Sequence, residues 1–501
     1  MTSKILFWIN NFYLNFGIAN QLQNIPDFEL YAIYETTEKP SSFFKSQKIV
    51  NFKKTWFFFD NISKVNKNID FTYLKKIESN YSINLWKLAI NERIFYNYND
   101  FYRFKDHEIL KILENECKFF EKILDEINPD YLLIHETALH FQQLFYEICK
   151  KKGIKVLMLN QSKLGYRCTI SQNLHQIDNC PKLESIQSKN RTFDDLINYI
   201  NKFDSAKQTK NYNNNLGKSK IKKIKALLEF ILSGKNNKNN FTYFGRSKFK
   251  VIFKIILLMI LKYFRKSFLD KYSHKSIPCN EKFILFTLNQ DPERSTLIAA
   301  PFYSNQFEVI RHIAKSIPID YKLYVKEHFS QSLREWRKIS TYKKIIQIPN
   351  VRLFHPSSDT IELIKKSSLV ISIGGTPPFQ AVFYKKPSLV FADIGFTIIP
   401  SIKKISCLEE LPSLIVESLS ENIISDDLDK YMTILENNTF DFDLIQYQID
   451  ENVFFKFDGS NLDAKIDEKK MEKFLTDKSV LFENLSKQYI KKIKNLDGNN
   501  G

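Results

Sequence analysis

The sequence is poor in glycine, with 12 among 501 residues, and the common glycine-dependent motifs are missing from it. It contains no GxGxxG turn, no Walker-type phosphate loop and no GxSxG. Their absence argues against the usual dehydrogenase, kinase and hydrolase functions. The six cysteines stand singly, without a CxxC pair. Neither a zinc finger nor a disulfide framework is indicated, and we expect reduced thiols in a cytosolic protein.

Positive charge is the strongest bias in composition: 74 lysine and arginine residues against 56 aspartate and glutamate residues give a net charge of +18. Such a balance suits acidic partners, namely nucleic acid, anionic lipid or a phosphorylated substrate. No zinc-finger spacing or RNP-like strand accompanies the charge, so we expect no nucleic-acid partner. The first apolar run, 5–9, is too short for a signal peptide, and a cytoplasmic location is expected.

The first 180 residues show the pattern of an α/β domain. Short apolar runs that suit buried strands alternate with helical stretches, and the predicted strands are 5–9, 29–34, 131–134 and 155–159. Residues 138–151 predict a helix that Gly153 ends. The last two strands and this helix form a βαβ unit, which implies parallel strands. We therefore predict a Rossmann-like domain over 1–180.

The next segment, 181–275, is basic and partly of low complexity, with runs of Lys, Asn and Ser at 207–225 and 235–240. We expect an inter-domain region here. Within it, 248–266 is strongly apolar but interrupted by lysines, so its uninterrupted core is too short to cross a bilayer. Two interpretations stay open: a helix lying on an anionic membrane surface, or a helix packed between the domains.

A second α/β run covers 276–420 and predicts another parallel sheet, followed by a helical tail over 421–501. Ligands of open parallel sheets bind at the carboxyl ends of the strands. Polar segments follow four of the predicted strands: 289–296, 326–328, 355–358 and 374–380. We expect these segments to converge on one edge of the sheet and to form a binding site.

The segment 374–380 has the features of a phosphate-binding turn. Gly374 and Gly375 allow a tight strand-to-helix turn, and Thr376 stands at the N-cap of the next helix. That end presents free amides and a positive dipole to a phosphate. Turns of this kind also occur in proteins that bind nothing, so both interpretations stay open. Two interpretations also stay open for His328 and His355. Each could contact a phosphate or carry a proton, or each could be a structural residue.

Six short segments of the second half occur in a specific order and spacing: 324–328 (YVKEH), 348–351 (IPNV), 355–358 (HPSS), 362–364 (ELI), 374–376 (GGT) and 383–387 (FYKKP). Together they resemble the capsule polysaccharide biosynthesis proteins. The segments 119–126, 129–130, 153–160 and 165–167 of the first half are also similar to members of that family.

The resemblance implies a GT-B enzyme: two Rossmann-like domains, the acceptor on the first, a nucleotide sugar on the second, and no obligatory metal or cofactor. It implies that His328 contacts the donor phosphate or base, that Ser357 and Ser358 hold phosphate, and that 374–376 lines the donor pocket. By position after the strands, the expected donor site also includes Lys326, Glu327, His355 and Gln380. Phe329 and Gln380 depart from the family pattern, which usually has Pro and Glu there; Gln can still hydrogen-bond a ribose hydroxyl.

A general base is expected near the cleft on the first domain. Glu136 and His140 follow the third predicted strand and are the candidates by position. Asn160, Tyr166 and Arg167 follow the next strand and are expected to bind the acceptor. Arg167 could grip an anionic acceptor with its guanidinium fork, or form a salt bridge between the domains.

The sequence thus predicts sugar transfer from a nucleotide sugar to a growing capsular or other cell-surface polysaccharide, with catalysis by positioning and phosphate stabilisation. The expected partners are the nucleotide sugar and a glycan or lipid-linked acceptor. Peripheral contact of 248–266 with the inner face of the membrane is one of the two interpretations left open for that segment. Two alternatives stay open: a polyol-phosphate transferase of the teichoic-acid type, and a non-catalytic glycan-binding or assembly protein.

Overall fold

Two β-sheets organise the protein, whose computed structural model describes residues 2–62, 68–97, 102–203, 219–232, 248–278, 281–333 and 336–498. The strands are β1 (Ser3–Asn10), β2 (Phe28–Glu35), β3 (Lys54–Phe57), β4 (Tyr131–Ile134), β5 (Lys155–Gln161), β6 (Arg167–Ser171), β7 (Phe283–Thr287), β8 (Lys322–Lys326), β9 (Val351–Phe354), β10 (Leu369–Ser372), β11 (Ser388–Val390), β12 (Ile402–Lys404) and β13 (Phe440–Asp441).

Helices connect and cover the strands. Numbered within the described residues, they are α1 (Leu14–Leu22), α2 (Glu38–Ser46), α3 (Phe58–Ile62), α4 (Phe71–Tyr81), α5 (Leu85–Asn91), α6 (Asp106–Ile127), α7 (His140–Lys151), α8 (Phe193–Asn201), α9 (Lys220–Leu232), α10 (Lys248–Tyr272), α11 (Arg294–Leu297), α12 (Gln306–Ser316), α13 (Ile339–Ile346), α14 (Thr360–Lys366), α15 (Pro377–Phe383), α16 (Leu411–Leu419), α17 (Ser425–Asn438), α18 (Leu444–Phe455), α19 (Glu468–Asp477) and α20 (Ser479–Gly498).

The first sheet has seven strands in the order β13-β6-β5-β4-β1-β2-β3. β3, β2, β1, β4 and β5 run parallel to one another, whereas β6 and β13 add an antiparallel pair at the edge. Helices cover both faces of the parallel part, so its strands are continuous apolar runs; all four residues of β4 are buried. The predicted βαβ unit is present, and Gly153 follows the helix with φ of +79°.

The second sheet has six parallel strands in the order β12-β11-β10-β7-β8-β9. All five residues of β7, at its centre, are buried. The reversal of strand order around β7 and β10 is that of a Rossmann-like sheet, in which a crevice forms where successive connections leave in opposite directions. The predicted fold class, two Rossmann-like domains in the GT-B architecture, is confirmed by these two sheets.

The tail returns to the first sheet. β13 pairs with β6, through Phe440 opposite Cys168, and α20 crosses α1 closely. At Gly17, on α1, an added Cβ would lie 2.1 Å from the ring of Phe482 on α20. Residues 440–498 therefore complete the first sheet and its covering layer, although they follow the second domain in sequence.

The predicted inter-domain region contains two helices. The predicted run 235–240 and most of 207–225 lie outside the described residues, but α9 begins at Lys220 and α10 contains the apolar segment 248–266. No helix in the described ranges is both long and apolar enough to cross a bilayer.

Candidate functional site

Polar segments stand at the carboxyl ends of four neighbouring strands. β10, β7, β8 and β9 lie side by side and run parallel, so the residues that follow them share one edge of the second sheet. The segments 289–296, 326–328, 355–358 and 374–380 therefore occupy a common edge. We call these four segments the polar edge.

The glycine turn after β10 packs closely against its neighbours. A Cβ on Gly374 would lie 3.1 Å from Cβ of Ala392 and 3.3 Å from Cβ of Ser295, so the missing side chain lets the loops after β7, β10 and β11 meet. Gly375 continues the turn, and α15 follows. Thr376 is the N-cap residue of α15, but its side chain makes no capping hydrogen bond. No backbone N–H at the start of this helix therefore donates to the Thr376 side chain, and its first two residues are prolines, which have no N–H to donate.

Lys326 and Glu327 are buried at the end of β8. Lys326 Nζ donates to the carbonyl of Pro356 at 3.4 Å, and burial lowers the pKa of Lys326 to about 8. Glu327 accepts from Arg337 Nε at 2.9 Å and from the Tyr342 hydroxyl at 2.8 Å. Burial raises the pKa of Glu327 to about 7, and the hydrogen bonds from the Tyr342 hydroxyl and the His328 N–H oppose that rise. Both side chains are therefore buried beneath the polar edge, where neighbouring residues hydrogen-bond to them.

His328 is an uncharged hydrogen-bond donor at the polar edge. Its Nδ1 accepts a hydrogen bond from the backbone N–H of Ser330 at 3.2 Å, which leaves the proton of the neutral ring on Nε2. Burial, together with the charge of Lys326, lowers the pKa of His328 to about 4. Phe329 stacks on the imidazole with ring centroids 4.8 Å apart. The residue thus offers an uncharged Nε2–H on an aromatic support.

His355 and the serines that follow it form a local cluster. His355 Nδ1 accepts from the backbone N–H of Ser357 at 3.1 Å and lies 2.5 Å from the Ser357 hydroxyl. Nε2 of His355 lies 3.2 Å from Asp270 Oδ1, on α10. Burial lowers the pKa of His355. Ser358 donates its N–H to the His355 carbonyl at 3.0 Å, and Gln380 is half-buried on α15, beyond the glycine turn.

Sequence reasoning missed the network that holds the edge together. Gln306, on α12, accepts from the N–H of Asn289 at 2.8 Å and donates to Asp291 Oδ1 at 2.8 Å. Arg337 bridges Asp291 and Glu327. The segment 289–296 was expected at this edge. Arg337 stands in no recognisable motif, and only its three-dimensional position reveals it.

Arg294 links the polar edge to the first domain. Its Nε donates to the carbonyl of Thr137 at 2.9 Å, and its Nη2 lies 3.2 Å from Thr137 Oγ1. Thr137 follows β4, so the carboxyl ends of β4 and β7 face each other. Burial lowers the pKa of Arg294 to about 10, against the charge of Glu136, which favours the cation. Glu136, a predicted general base, therefore stands at the seam of the two domains.

The prediction of His140 as a general base is corrected by its surroundings. Nδ1 lies 2.7 Å from Glu92 Oε2, and Nε2 lies 3.0 Å from Glu116 Oε1. All three residues are buried. Burial alone would lower the pKa of His140, but the charges of the two carboxylates raise it to about 10. A protonated imidazole whose two N–H groups are both engaged cannot accept a proton from a substrate.

The predicted acceptor residues are engaged within the protein. Asn160 is buried and donates to Ser171 Oγ at 2.6 Å. Arg167 donates Nη2–H to the Thr439 carbonyl at 2.6 Å and lies 3.6 Å from a carboxylate of β13. It thus joins the first sheet to the returning tail, which favours the salt-bridge interpretation of Arg167, with the partner on β13. Tyr166 is half-buried close by.

A cavity of about 340 Å³ lies along the same seam. Lys163 and His175 line it from the first domain, and Asp393 and Thr397 from the loop after β11. Burial lowers the pKa of both basic groups. At Gly395, with φ of +83°, an added Cβ would lie 2.0 Å from the His175 carbonyl, so glycine is required for this approach. Strand ends of both domains therefore enclose the cavity.

No protein-family model and no curated protein sequence matches the chain. Among solved structures, it is 14% identical to UDP-GlcNAc 2-epimerase from Neisseria meningitidis bound to UDP-GlcNAc, over 87% of this chain and 99% of that one, with a TM-score of 0.26. It is 11% identical to Thermosulfurimonas dismutans KpsC, a beta Kdo 2,7 transferase, over 67% and 88%, with a TM-score of 0.30. It is 10% identical to the glycotransferase of kitacinnamycin, over 90% and 99%, with a TM-score of 0.25. Likenesses at this level carry no argument about function.

Proposed function

We propose that the protein is a glycosyltransferase that moves a sugar from a nucleotide-sugar donor to a growing capsular or other cell-surface polysaccharide. The donor would occupy the polar edge, and the acceptor would enter from the facing strand ends of the first domain. The resemblance of 324–387 to capsule polysaccharide biosynthesis proteins supports the acceptor class. We propose the inner face of the membrane as the location, because a lipid-linked acceptor would be held there.

The observation that carries the proposal is the environment of Arg294. This cation is partly buried between the two domains, and within the described residues no Asp or Glu side chain forms an ion pair with it. Its recorded partners are the neutral oxygens of Thr137. Buried charges are normally paired, and a guanidinium suits the bidentate binding of phosphate. The neighbouring turn at Gly374, which touches Ser295, would supply backbone amides to the same diphosphate.

His328 and the serines would complete the donor site. The Nε2–H of His328 would donate to a donor phosphate or base oxygen without adding charge, because the low pKa keeps the ring neutral. Ser357 and Ser358 would add hydroxyl donors. Gln380 would hydrogen-bond a ribose hydroxyl, with no negative charge close to the diphosphate.

Glu136 is the proposed general base. In the transfer step the acceptor hydroxyl gives its proton to the Glu136 carboxylate, and its oxygen forms the new bond to the anomeric carbon. The bond from that carbon to the diphosphate oxygen breaks, and the nucleoside diphosphate leaves with the electron pair. Arg294 would stabilise the charge that develops on this leaving group.

Titration calorimetry with CMP, CDP, UDP and GDP tests the nucleotide site. We expect one of the nucleotides to bind, and Arg294→Met to weaken binding of a diphosphate roughly 10- to 150-fold, the loss of a charge-assisted contact of about 1.5–3 kcal/mol. Arg311→Met is the matched control, because Arg311 is exposed on α12 and pairs only with Glu308 there. Binding of none of the four nucleotides would refute the proposed enzyme.

Turnover tests the chemistry. Glu136→Gln should lower kcat about 100-fold or more while nucleotide affinity stays unchanged, as expected for a lost general base. Unchanged kcat would remove Glu136 from the reaction. If the protein consumes a CDP-polyol but none of the nucleotide sugars tried, its reaction is polyol-phosphate transfer and not sugar transfer.

A further inference from the structure

Helix α10 exposes an apolar stripe along its length. Phe249, Phe253, Ile256, Ile260 and Tyr263 recur every three to four residues and are 84%, 69%, 49%, 51% and 73% exposed. At about 100° per residue these positions share one face of the helix. A stripe of five large apolar side chains is more than the scattered exposed residues of an ordinary surface.

Helix α9 carries a second stripe of the same kind. Its exposed apolar side chains are Ile221, Ile224, Leu227, Leu228, Ile231 and Leu232. Lys248 Nζ, at the start of α10, donates to the carbonyl of Ile231, at the end of α9, at 2.7 Å. Lys223 is close enough to Lys262 for its charge to contribute to the lowered pKa of Lys262. The two helices therefore form an antiparallel pair, which we call the α9–α10 hairpin.

The hairpin carries many more positive than negative charges. Residues 220–232 and 248–272 contain eleven Lys and Arg residues but only Glu229 and Asp270 as acids. Glu229 pairs with Lys39 of α2 at 3.1 Å, and Asp270 lies 3.2 Å from His355. Both acids thus face the body of the protein. The outer surface combines apolar side chains with lysines such as Lys266 and Lys250 on either side of the α10 stripe.

The hairpin is anchored to both domains. On α9, Lys222 pairs with Asp458 of the returning tail at 2.6 Å. On α10, Leu269 is buried in the core of the second domain, and Arg265 donates to the Trp336 carbonyl at 2.7 Å. The outer surface is therefore held in a defined orientation beside the domain seam.

We propose that the α9–α10 hairpin docks the protein on an anionic lipid bilayer, with the apolar stripes in the headgroup region and the lysines against lipid phosphates. The charge pattern favours a lipid bilayer as the partner, because an apolar centre within a basic rim is typical of an interfacial helix. The inference does not rest on the proposed function, because the hairpin alone carries it. The orientation it implies holds the domain seam beside the membrane surface.

Co-sedimentation of the full-length protein with vesicles tests the docking. We expect the protein to pellet with phosphatidylcholine vesicles that contain phosphatidylglycerol, and less so at high salt. Lys250→Gln with Lys266→Gln, which removes the lysines on either side of the α10 stripe, should lower partitioning about 25-fold, since each lysine near an anionic surface contributes about 1 kcal/mol, roughly fivefold. The double variant Lys343→Gln with Lys344→Gln, on the exposed side of α13, removes the same charge elsewhere and should leave partitioning unchanged.

The apolar contribution needs its own variant. Phe253→Ser, Ile256→Ser and Ile260→Ser together should reduce pelleting at least tenfold while the far-UV circular dichroism spectrum and the urea unfolding midpoint are retained. Absence of pelleting by the parent protein, or equal pelleting by the triple variant, would overturn the proposal. Conversion of a dimer to a monomer by the triple variant, with pelleting unchanged, would assign the surface to a second copy of the chain and overturn it as well.

Discussion

The cluster of His140, Glu92 and Glu116 makes a quantitative test of a structural role possible. Replacing His140 by Gln removes the cation between two buried carboxylates and leaves their charges uncompensated. Removing one partner of a buried ion pair costs about 3–5 kcal/mol. The pKa of His140 leads to the same figure, since a rise from 6.5 to about 10 corresponds to stabilisation on the order of 5 kcal/mol. We therefore expect His140→Gln to lower the free energy of unfolding by about 3–5 kcal/mol.

Urea unfolding followed by circular dichroism at neutral pH measures this cost. The control is the same substitution in a background that carries Glu92→Gln and Glu116→Gln. Without the carboxylates the imidazolium has no charge to compensate, so His140→Gln should cost only about 1 kcal/mol there. The difference between the two costs is the coupling energy between His140 and the carboxylates. A cost below about 1 kcal/mol in the parent protein, together with lost turnover, would refute the structural role and restore His140 as a catalytic candidate.

The same cluster predicts a pH dependence of stability. The pKa of His140 is higher in the folded than in the unfolded state, so the folded protein binds the proton more tightly. The stabilisation is fully present below pH 6.5 and is lost as the pH rises through about 10. The unfolding midpoint should therefore fall over this range in the parent protein, and fall less in the variant that lacks both carboxylates.

Three further predictions concern other parts of the protein. His328 should stay neutral because its pKa is about 4. If kcat/KM shows an inflection between about pH 5 and 8, the inflection should therefore persist in His328→Gln. An inflection that disappears in this variant would contradict the assignment. Arg337→Met should destabilise the protein by about 3–5 kcal/mol, and Arg352→Met, at an ion pair 38% exposed on the arginine side, by less than about 1 kcal/mol in urea unfolding. Gly17→Ala should cost about 1–3 kcal/mol in thermal unfolding, because the methyl group would meet the Phe482 ring; an unchanged midpoint would dispute this contact.

Local patterns in the sequence predicted the two sheets well. Buried parallel strands need apolar side chains on both faces, so they appear as continuous apolar runs whatever their partners. The expected strand 131–134 matches β4, and the expected strand 155–159 lies within β5. The polar segments after the strands were predicted for the same reason, since parallel topology alone brings the ends of β7 to β10 together.

Contacts between distant residues could not be predicted in this way. Glu92, just after α5, and Glu116, on α6, enclose His140, and Arg167 meets Thr439 across 272 positions. Neither pairing leaves a periodic or motif signal, because the partners are set by how helices and sheets pack. Position after a strand is therefore enough to find an edge, but it does not separate a residue at the domain seam, such as Glu136, from one enclosed by the core, such as His140.

Arg294 connects the polar edge, the proposed base and the domain seam in one side chain. A guanidinium has five N–H groups, and the contacts with Thr137 engage Nε and Nη2, while Nη1 makes no hydrogen bond to any described residue. The same side chain can therefore hold Thr137 and bind a diphosphate at once. A ligand that binds only one arrangement of the two domains stabilises that arrangement by its differential affinity. Under the proposed function, donor binding at Arg294 would favour the arrangement in which Arg294 holds Thr137 and Glu136 stands at the seam, so that domain contact and catalysis would depend on the same anion.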